Sequence, residues 1–229
     1  MPTFAFEPVT PSVAIVNSEL RFGVHRIYCV GRNYPDHVRE MGGTQVDKGT
    51  PIFFMKPSDA VVQSGSSIGY PLATTNLHHE IELVIALGSG GSNVAIDDAR
   101  QLVFGYAVGC DLTRRDLQAA AKAQGAPWDT AKGFDASAPI SAILPAANTL
   151  MSDGRIWLSV NESLRQDSDL AQMIWPVAEI ISLLSRLFAL RAGDLIFTGT
   201  PAGVGPLERG DRVVGGIFGV GELRFNISN

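Results

Sequence analysis

Two glutamates at the start of an apolar run, Glu80 and Glu82, are the strongest chemical signal in this sequence. Residues 80–87 read Glu-Ile-Glu-Leu-Val-Ile-Ala-Leu, and in a strand these side chains would alternate between two faces. Beyond the glutamates both faces are apolar, so the acids need a partner or water. Cα atoms two residues apart on a strand are separated by roughly 6–7 Å. Both carboxylates can therefore reach one cation, although an exposed strand start is the competing interpretation.

A third acid, Asp111, ends the apolar run of residues 103–110, just before a segment that we expect to be helical. Strand ends are where protein scaffolds present functional groups. Three carboxylates without a histidine or cysteine ligand make a hard oxygen site. Such a site suits Mg²⁺, Mn²⁺ or Ca²⁺ rather than zinc or copper. The alternative role for Asp111 is the N-cap of the following helix.

Two polar pairs have the three-residue spacing that places side chains on one face of a helix. His37 and Glu40 lie in a short predicted helix, residues 35–41, where the carboxylate can fix the imidazole tautomer and raise its basicity. Arg115 and Gln118 would place an anion-binding fork and an amide just after Asp111. For both pairs, a solvated helix face is the alternative.

The glycine-rich segment 198–205 follows an apolar run and lacks the Gly-Lys-Ser/Thr ending of a phosphate loop. Its backbone could approach a small carboxylate closely, with Thr200 donating its hydroxyl. An ordinary strand-connecting turn is the alternative.

His78 and His79 precede the glutamates. Only His78 shares their face of the strand, where it could contact substrate or simply pack.

Together these segments resemble the fumarylacetoacetate hydrolase family from Arg26 to the C-terminus. The resemblance depends on six motifs: Gly31-Arg32-Asn33-Tyr34-Pro35-Asp36-His37, Phe54-Met55-Lys56-Pro57-Ser58, His79-Glu80-Ile81-Glu82-Leu83, Gly109-Cys110-Asp111-Leu112-Thr113, Ala131-Lys132-Gly133-Phe134-Asp135 and Thr198-Gly199-Thr200-Pro201. Within the family the chain is most similar to short acylpyruvate hydrolases, including bacterial fumarylpyruvate hydrolases.

The resemblance implies a β-rich α+β fold, a mixed β-sandwich or β-roll of the family's C-terminal-domain type with a few peripheral helices. We expect a single catalytic domain over residues 1–229, with a short N-terminal β segment at 1–25 and the family-like core at 26–229.

The same resemblance implies roles for individual residues. Glu80, Glu82 and Asp111 correspond to metal ligands, His37 and Glu40 to a water-activating pair, Lys132 to a lysine beside the metal, and Arg115, Gln118 and Thr200 to substrate-contacting positions. Larger members supply a further aspartate shortly before the histidine, whereas Cys29-Val30-Gly31 offers no carboxylate here. The metal, Mg²⁺ or Mn²⁺ with Ca²⁺ as an alternative, would therefore keep three protein ligands. Arg32, Lys56 and Arg114 are candidates for binding a second substrate carboxylate.

The activity implied is hydrolysis of the C3–C4 bond of a 2,4-dioxo acid, such as fumarylpyruvate, which would give fumarate and pyruvate. A water activated by His37 and Glu40 would attack C4, while the metal and Lys132 stabilise the departing pyruvate enolate. One alternative is an oxaloacetate-type decarboxylase or tautomerase, which would need no water-activating pair. The other is a non-catalytic Ca²⁺-binding β protein.

Short apolar runs between turn residues predict the strands that must position these groups. They cover residues 26–31, 51–56, 80–88, 103–111, 155–160, 194–199 and 211–227. Helical periodicity predicts one long helix over residues 170–190, a second over 113–124 with a stop at Gly125, and the short helix at 35–41. Glycine-bearing loops at 44–50 and 88–93 are expected to be mobile, and the first could serve as a lid.

Composition narrows the class of protein. The chain has 229 residues with 24 glycines and 13 prolines, which favours many short strands joined by turns. A net charge of −5 argues against nucleic acid as a partner. With no signal-like start and no long apolar segment, we expect a cytoplasmic protein that does not bind membranes. Cys29 and Cys110 lie in apolar runs and should be buried free thiols. A small dioxo acid is the expected partner, and the resemblance implies a homodimer.

Overall fold

Strands dominate the structure, and the β-rich α+β fold predicted from the sequence is confirmed. The structure is a computed structural model that describes residues 3–43, 48–146 and 149–228. Its strands are β1 (Ser12–Ala14), β2 (Arg21–Gly23), β3 (Ile27–Gly31), β4 (Ile52–Lys56), β5 (Val61–Gln63), β6 (Ser67–Gly69), β7 (Leu77–His79), β8 (Ile81–Leu87), β9 (Val103–Cys110), β10 (Thr113–Arg114), β11 (Ala138–Ile140), β12 (Leu144–Pro145), β13 (Arg155–Val160), β14 (Ser163–Asp169), β15 (Leu195–Phe197), β16 (Gly205–Leu207), β17 (Arg212–Ile217) and β18 (Gly221–Ser228).

Among the described residues the largest sheet has eight strands, and its middle strands β8 and β9 position the acidic residues. Its strands follow the order β4-β3-β15-β8-β9-β11-β5, and β12 pairs with β9 beside this path. β8 and β9 are antiparallel with Ile81 opposite Cys110, whereas β15 runs parallel to β3. Because of this register, the start of β8 meets the end of β9. The glutamates and Asp111 are thereby brought to one edge of the sheet.

A five-stranded sheet of order β14-β13-β17-β18-β6 packs against one face of the large sheet. Alternate β8 side chains, Ile81, Leu83, Ile85 and Leu87, enter the core between the sheets. Val84 and Ala86 point the other way, into a second core with the N-terminal hairpin β1–β2. β8 is thus covered on both faces, which explains why both of its faces are apolar.

In the described part of the chain, four α-helices lie around the sheets. They are α1 (Pro35–Glu40), α2 (Arg115–Gln124), α3 (Asp129–Lys132) and α4 (Val177–Ser185). The prediction of one long helix over 170–190 is wrong. Only a 3-10 turn, Leu170–Gln172, forms at its start, and α4 begins after Pro176. Proline disfavours the helical conformation in the residue before it, so apolar spacing could not carry a helix across this position.

Other sequence-based expectations agree in part. The helix predicted over 113–124 begins two residues later but ends at Gly125, which adopts a left-handed φ of 64°. The strand predicted over 211–227 is the hairpin β17–β18. In the loop predicted as a lid, residues 44–47 lie outside the described part of the chain. No helix among the described residues is both long and apolar enough to span a membrane.

Candidate active site

The three predicted acids converge. Glu80 lies between β7 and β8, Glu82 lies on β8, and Asp111 directly follows β9. One oxygen from each carboxylate lies within 4.8 Å of the others, and all three residues are buried. The Asp111 amide donates to the Glu80 carbonyl over 2.8 Å, which holds the two strand ends together. Asp111 does not cap α2, since the N-cap position is Arg114, without a side-chain cap.

Lys132, at the end of α3, inserts its ammonium between two of these acids. Its Nζ donates to Glu80 Oε2 over 2.7 Å, to Asp111 Oδ2 over 2.6 Å and to Thr113 Oγ1 over 2.6 Å. Burial alone would lower the pKa of Lys132, but the two carboxylates outweigh it and raise that pKa. The lysine is therefore charged, and all three of its N–H donors are engaged.

The two glutamates have opposite electrostatic environments. Burial opposes ionisation of Glu80, but Lys132 and Arg115 outweigh it and lower the Glu80 pKa. The Glu82 pKa is raised well above its ordinary value by burial and by the neighbouring charges of Asp111 and Glu80. Its Oε2 accepts the Gly199 amide over 2.7 Å. Glu82 thus lacks a cationic partner among the described residues.

An oxygen-only cluster in which Glu82 has no ion-pair partner among the described residues fits a divalent cation. Asp111 Oδ1 is buried, and Lys56 Nζ lies 2.8 Å away, yet within the described chain no donor points at this oxygen with hydrogen-bond geometry. A carboxylate oxygen that none of these residues hydrogen-bonds, beside the under-compensated Glu82, is what a hard cation would satisfy. Mg²⁺ and Mn²⁺ both suit such a donor set.

His37 and Glu40 form the predicted pair on α1. His37 Nδ1 lies 3.1 Å from Glu40 Oε2, and the imidazole is buried and lines the same pocket as the three acids. The other oxygen of Glu40, Oε1, accepts the Gly203 amide over 3.0 Å. The carboxylate is therefore held from both sides.

Arg115 and Gln118 also line this pocket, but the arginine is already engaged. Its Nη2 is paired with Glu80, its Nη1 donates to Gln118 Oε1 over 2.6 Å, and its Nε lies 3.4 Å from His78 Nδ1. Burial, followed by the Arg115 charge, lowers the pKa of His78 to about 4. Neutral His78 therefore supports Arg115 and is not among the pocket-lining residues.

The three cations considered for binding a second substrate carboxylate, Arg32, Lys56 and Arg114, have different environments in the structure. Arg32 lines the pocket, as does Thr200. The placement of Lys56 against substrate is corrected: its side chain is fully buried and donates to the carbonyls of Leu112, over 3.2 Å, and of Lys132. Arg114 stacks on the Phe134 ring, 4.4 Å from its centroid, outside the pocket lining.

Sequence reasoning missed two residues of this region. Lys122 lines the pocket mouth, and its pKa is lowered by partial burial and then by Arg115 and Arg32. Its spacing of seven residues from Arg115 places it on the same face of α2, so the signal was present. Gln166 is fully buried on β14, a strand that sequence reasoning did not predict because its other residues are mostly exposed and polar.

Comparisons with known proteins agree with this architecture. The family model described as "Fumarylacetoacetate (FAA) hydrolase C-terminal" matches residues 26–228. The mitochondrial oxaloacetate tautomerase FAHD1 of Mus musculus is 44% identical over 202 residues, covering 88% of this chain and 90% of that protein. A fumarylpyruvate hydrolase of Ralstonia sp is 42% identical over 187 residues, covering 81% of this chain and 97% of that protein. The fumarylpyruvate hydrolase of Pseudomonas aeruginosa, solved with Mn²⁺ and pyruvate, is 48% identical with a TM-score of 0.94 over 99% of both chains.

Proposed function

We propose that this chain, which belongs to the fumarylacetoacetate hydrolase family, hydrolyses the C3–C4 bond of fumarylpyruvate to give fumarate and pyruvate. The observation that carries the proposal is the His37–Glu40 pair, which lines the same pocket as the three carboxylates. The similarity to fumarylpyruvate hydrolases from Ralstonia and Pseudomonas supports the choice of substrate.

The geometry of this pair suits it to activate water. An ionised carboxylate only accepts hydrogen bonds, so His37 Nδ1 carries the proton that Glu40 binds. The neutral imidazole then has its lone pair on Nε2, which can take a proton from water as that water attacks the C4 carbonyl. The proton is available later for the pyruvate enolate that departs when the C3–C4 bond breaks.

The three acids serve the other half of the reaction. Glu80, Glu82 and Asp111 would hold Mg²⁺ or Mn²⁺, which when bound supplies a Lewis acid for the 2-oxo acid end of the substrate. Lys132 adds a fixed positive charge beside them. Because its three N–H donors are engaged, Lys132 favours the developing enolate through its charge rather than through a free hydrogen bond.

Two cations at the pocket mouth favour a substrate with a second carboxylate. Arg32 and Lys122 line the pocket, and neither forms an ion pair with a carboxylate of residues 3–43, 48–146 or 149–228. Arg32 has a left-handed φ of 60°, a conformation that costs free energy in a non-glycine residue. The distal carboxylate of a fumaryl group would bind between these cations, whereas a neutral acyl group would not.

The first test removes the water-activating pair. His37→Ala and Glu40→Gln should each reduce kcat for fumarylpyruvate about 10²–10⁴-fold, since general-base assistance typically contributes that much. Mn²⁺ affinity, measured by calorimetry, should stay nearly unchanged because neither residue belongs to the acidic cluster. Parental turnover in both variants would show that another group activates the water.

The second test addresses the acyl group. Arg32→Met and Lys122→Met should lower kcat/KM for fumarylpyruvate about tenfold, as expected for a lost charge-assisted hydrogen bond. Their kcat/KM for acetylpyruvate, which lacks the distal carboxylate, should change little. Arg224→Met, an exposed charge change outside the pocket lining, is the control. Equal losses on both substrates would remove these cations from acyl recognition.

Oxaloacetate tautomerisation is the second candidate, because the FAHD1 relatives have a similar identity to this chain. It would use the same three acids and Lys132 without a water-activating pair. Assaying Mn²⁺-loaded protein on both substrates separates the candidates: pyruvate release from fumarylpyruvate supports hydrolysis, and enol–keto conversion of oxaloacetate alone supports tautomerisation. Inactivity on both with every divalent cation would favour the non-catalytic Ca²⁺-binding alternative.

The assembly and location expected from the sequence also stay proposals. We propose a homodimer in the cytoplasm. Light scattering on the purified protein would measure its mass against the 24.4 kDa of one chain, and a monomer at micromolar concentration would contradict the first proposal. Imaging of a tagged protein in its own cells would test the second.

A further inference from the structure

Gln166 is a fully buried amide on β14, a strand whose other side chains are mostly exposed. It belongs to the five-stranded sheet, yet its side chain reaches the segments that form the pocket. Its Oε1 lies 3.1 Å from the Ile81 amide and 3.0 Å from His79 Nδ1. Its Nε2 lies 2.8 Å from Thr200 Oγ1 and 2.9 Å from the Pro201 carbonyl. Gln166 thus connects the start of the metal-binding strand to the turn that carries Thr200.

The orientation of this amide follows from its backbone partners. A backbone N–H only donates, so the atom facing Ile81 must be the carbonyl oxygen of Gln166. The Pro201 carbonyl only accepts, so the atom facing it must be the NH₂ group. In the flipped orientation the NH₂ group would face the Ile81 N–H, which is also a donor. The carbonyl oxygen would face the Pro201 carbonyl, which is also an acceptor. The Gln166 NH₂ therefore donates to the Thr200 hydroxyl rather than accepting from it.

This direction leaves the Thr200 proton without a protein partner. A hydroxyl has one proton to donate, and its oxygen here already accepts from Gln166. In the described part of the chain, no protein acceptor is paired with that proton. Thr200 is buried and lines the pocket together with the three acids. The unused proton is therefore available only to a molecule in the pocket.

We infer that Gln166 is a positioning residue that directs the Thr200 proton into the pocket and makes Thr200 a hydrogen-bond donor to a substrate oxygen. The matching group is one that only accepts, the carboxylate of a 2-oxo acid. This inference rests on the proposed function for the identity of the ligand. Gln166, from the five-stranded sheet, thereby influences which substrate the site binds, although it acts through Thr200 and does not touch the substrate.

A double-mutant cycle on pyruvate binding tests the inference. Calorimetry on Mn²⁺-loaded protein should show pyruvate affinity falling about 10- to 100-fold in Thr200→Val, since a hydrogen bond to a charged group is lost. Gln166→Met should weaken binding about 3- to 10-fold, because the hydroxyl proton is no longer directed. The double variant should bind no more weakly than Thr200→Val, and Thr200→Ser should restore nearly parental affinity. Gln166→Leu repeats the cycle if the methionine variant yields too little folded protein.

The control separates positioning from stability. Ser185 is buried, and its Oγ accepts the Val94 amide over 2.8 Å outside the pocket lining, so Ser185→Ala should lower the Tm and leave pyruvate affinity unchanged. Additive losses in the double variant, or parental affinity in Gln166→Met, would overturn the inference. If the losses of pyruvate affinity are non-additive as expected, but the parental protein does not cleave fumarylpyruvate, the proposed function alone would be overturned. A parental protein that binds no pyruvate would overturn both.

Discussion

The buried glutamates of this site differ in how far neighbouring cations compensate their negative charge. Lys132 and Arg115 lower the Glu80 pKa, whereas Glu82 lies against two other carboxylates and its pKa is raised. A cation among these acids would reverse the state of Glu82, because it favours the ionised carboxylate. Binding of the metal and loss of a proton are therefore coupled at this residue.

Mn²⁺ binding should release protons as a consequence. The metal-free protein holds the Glu82 proton up to a pH well above the ordinary value for a carboxyl group. Mn²⁺ must displace it, so Mn²⁺ affinity should rise with pH until the raised Glu82 pKa is passed and then level off. Calorimetry in two buffers of different ionisation enthalpy measures the protons released. Glu82→Gln should bind Mn²⁺ more weakly and show no such release, and proton release unchanged in that variant would assign it to another group.

Lys56 should matter for stability rather than for substrate recognition. Its buried ammonium lies 2.8 Å from Asp111 Oδ1 and donates to two backbone carbonyls. Lys56→Met would leave these buried carbonyls without their donor and Asp111 with Lys132 as its remaining ion-pair partner among the described residues. Breaking a buried pair in this way costs about 3–5 kcal/mol of unfolding free energy. Lys122→Met removes only the contact of the ammonium with the Trp128 ring and should change the unfolding free energy by less than about 1 kcal/mol. Urea unfolding of both metal-free variants makes the comparison, and equal losses would contradict it.

At the scale of elements, the turn between β15 and β16 links both halves of the site. The Gly199 amide binds Glu82, and the Gly203 amide binds Glu40. The sequence-based interpretation expected this glycine-rich backbone to approach a small carboxylate of the substrate. In the structure the carboxylates it approaches belong to the protein. The turn therefore positions an acid of the cluster and the partner of His37 together.

Gly203→Ala should disturb the His37–Glu40 pair while leaving the acidic cluster able to bind Mn²⁺. Gly203 has a φ of 95°, and an added Cβ would lie 2.1 Å from the Arg165 carbonyl oxygen, so the turn must move. Glu40 would lose its anchor, and kcat for fumarylpyruvate should fall more than tenfold with Mn²⁺ affinity retained. Gly219→Ala is a matched control, since its φ is 80° and no atom lies within 4 Å of the added Cβ. That variant should lose about 1 kcal/mol of stability and no activity. Equal kcat values would show that the turn tolerates the displacement.

At the scale of the whole molecule, one strand connects the acids to both hydrophobic cores. β8 carries Glu82 and also contributes side chains to both hydrophobic cores. Cys29 and Cys110 are fully buried on strands of the same sheet, and burial raises the pKa of each thiol. Neither thiol can react with a reagent in water until the sheet opens. We therefore expect thiol labelling to report unfolding of the sheet.

Mn²⁺ should slow labelling of both thiols equally. A ligand that binds only the folded state at 100 times its Kd stabilises it by about 2.7 kcal/mol, which lowers the open population about 100-fold. The labelling rate with a thiol reagent should fall by that factor when opening is in rapid equilibrium. Asp111→Asn should abolish the protection. Labelling of one thiol that is insensitive to Mn²⁺ would show local opening of its strand.

Local sequence patterns were sufficient to identify the residues that can bind a hard cation. The alternation of Glu80 and Glu82 on a doubly apolar strand, and Asp111 at the end of another, are local patterns that follow from strand geometry. The family-like motifs predicted the fold class. The contact between His37 and Glu40 followed from helical spacing, because residues three apart on a helix touch wherever that helix packs. Their water-activating role was implied by the resemblance to the family.

Which polar residues reach the pocket depends on contacts between elements that are distant in the sequence. Lys56, Arg114 and Lys122 are all cations near predicted site segments, but packing buries the first behind Asp111, stacks the second on Phe134 and leaves the third at the pocket mouth. Gln166 reaches Thr200 from a different sheet, across 34 residues of sequence. Local patterns specify which face of an element a side chain occupies. Which distant element that face meets depends on how the two sheets pack, and that is a property of the whole chain.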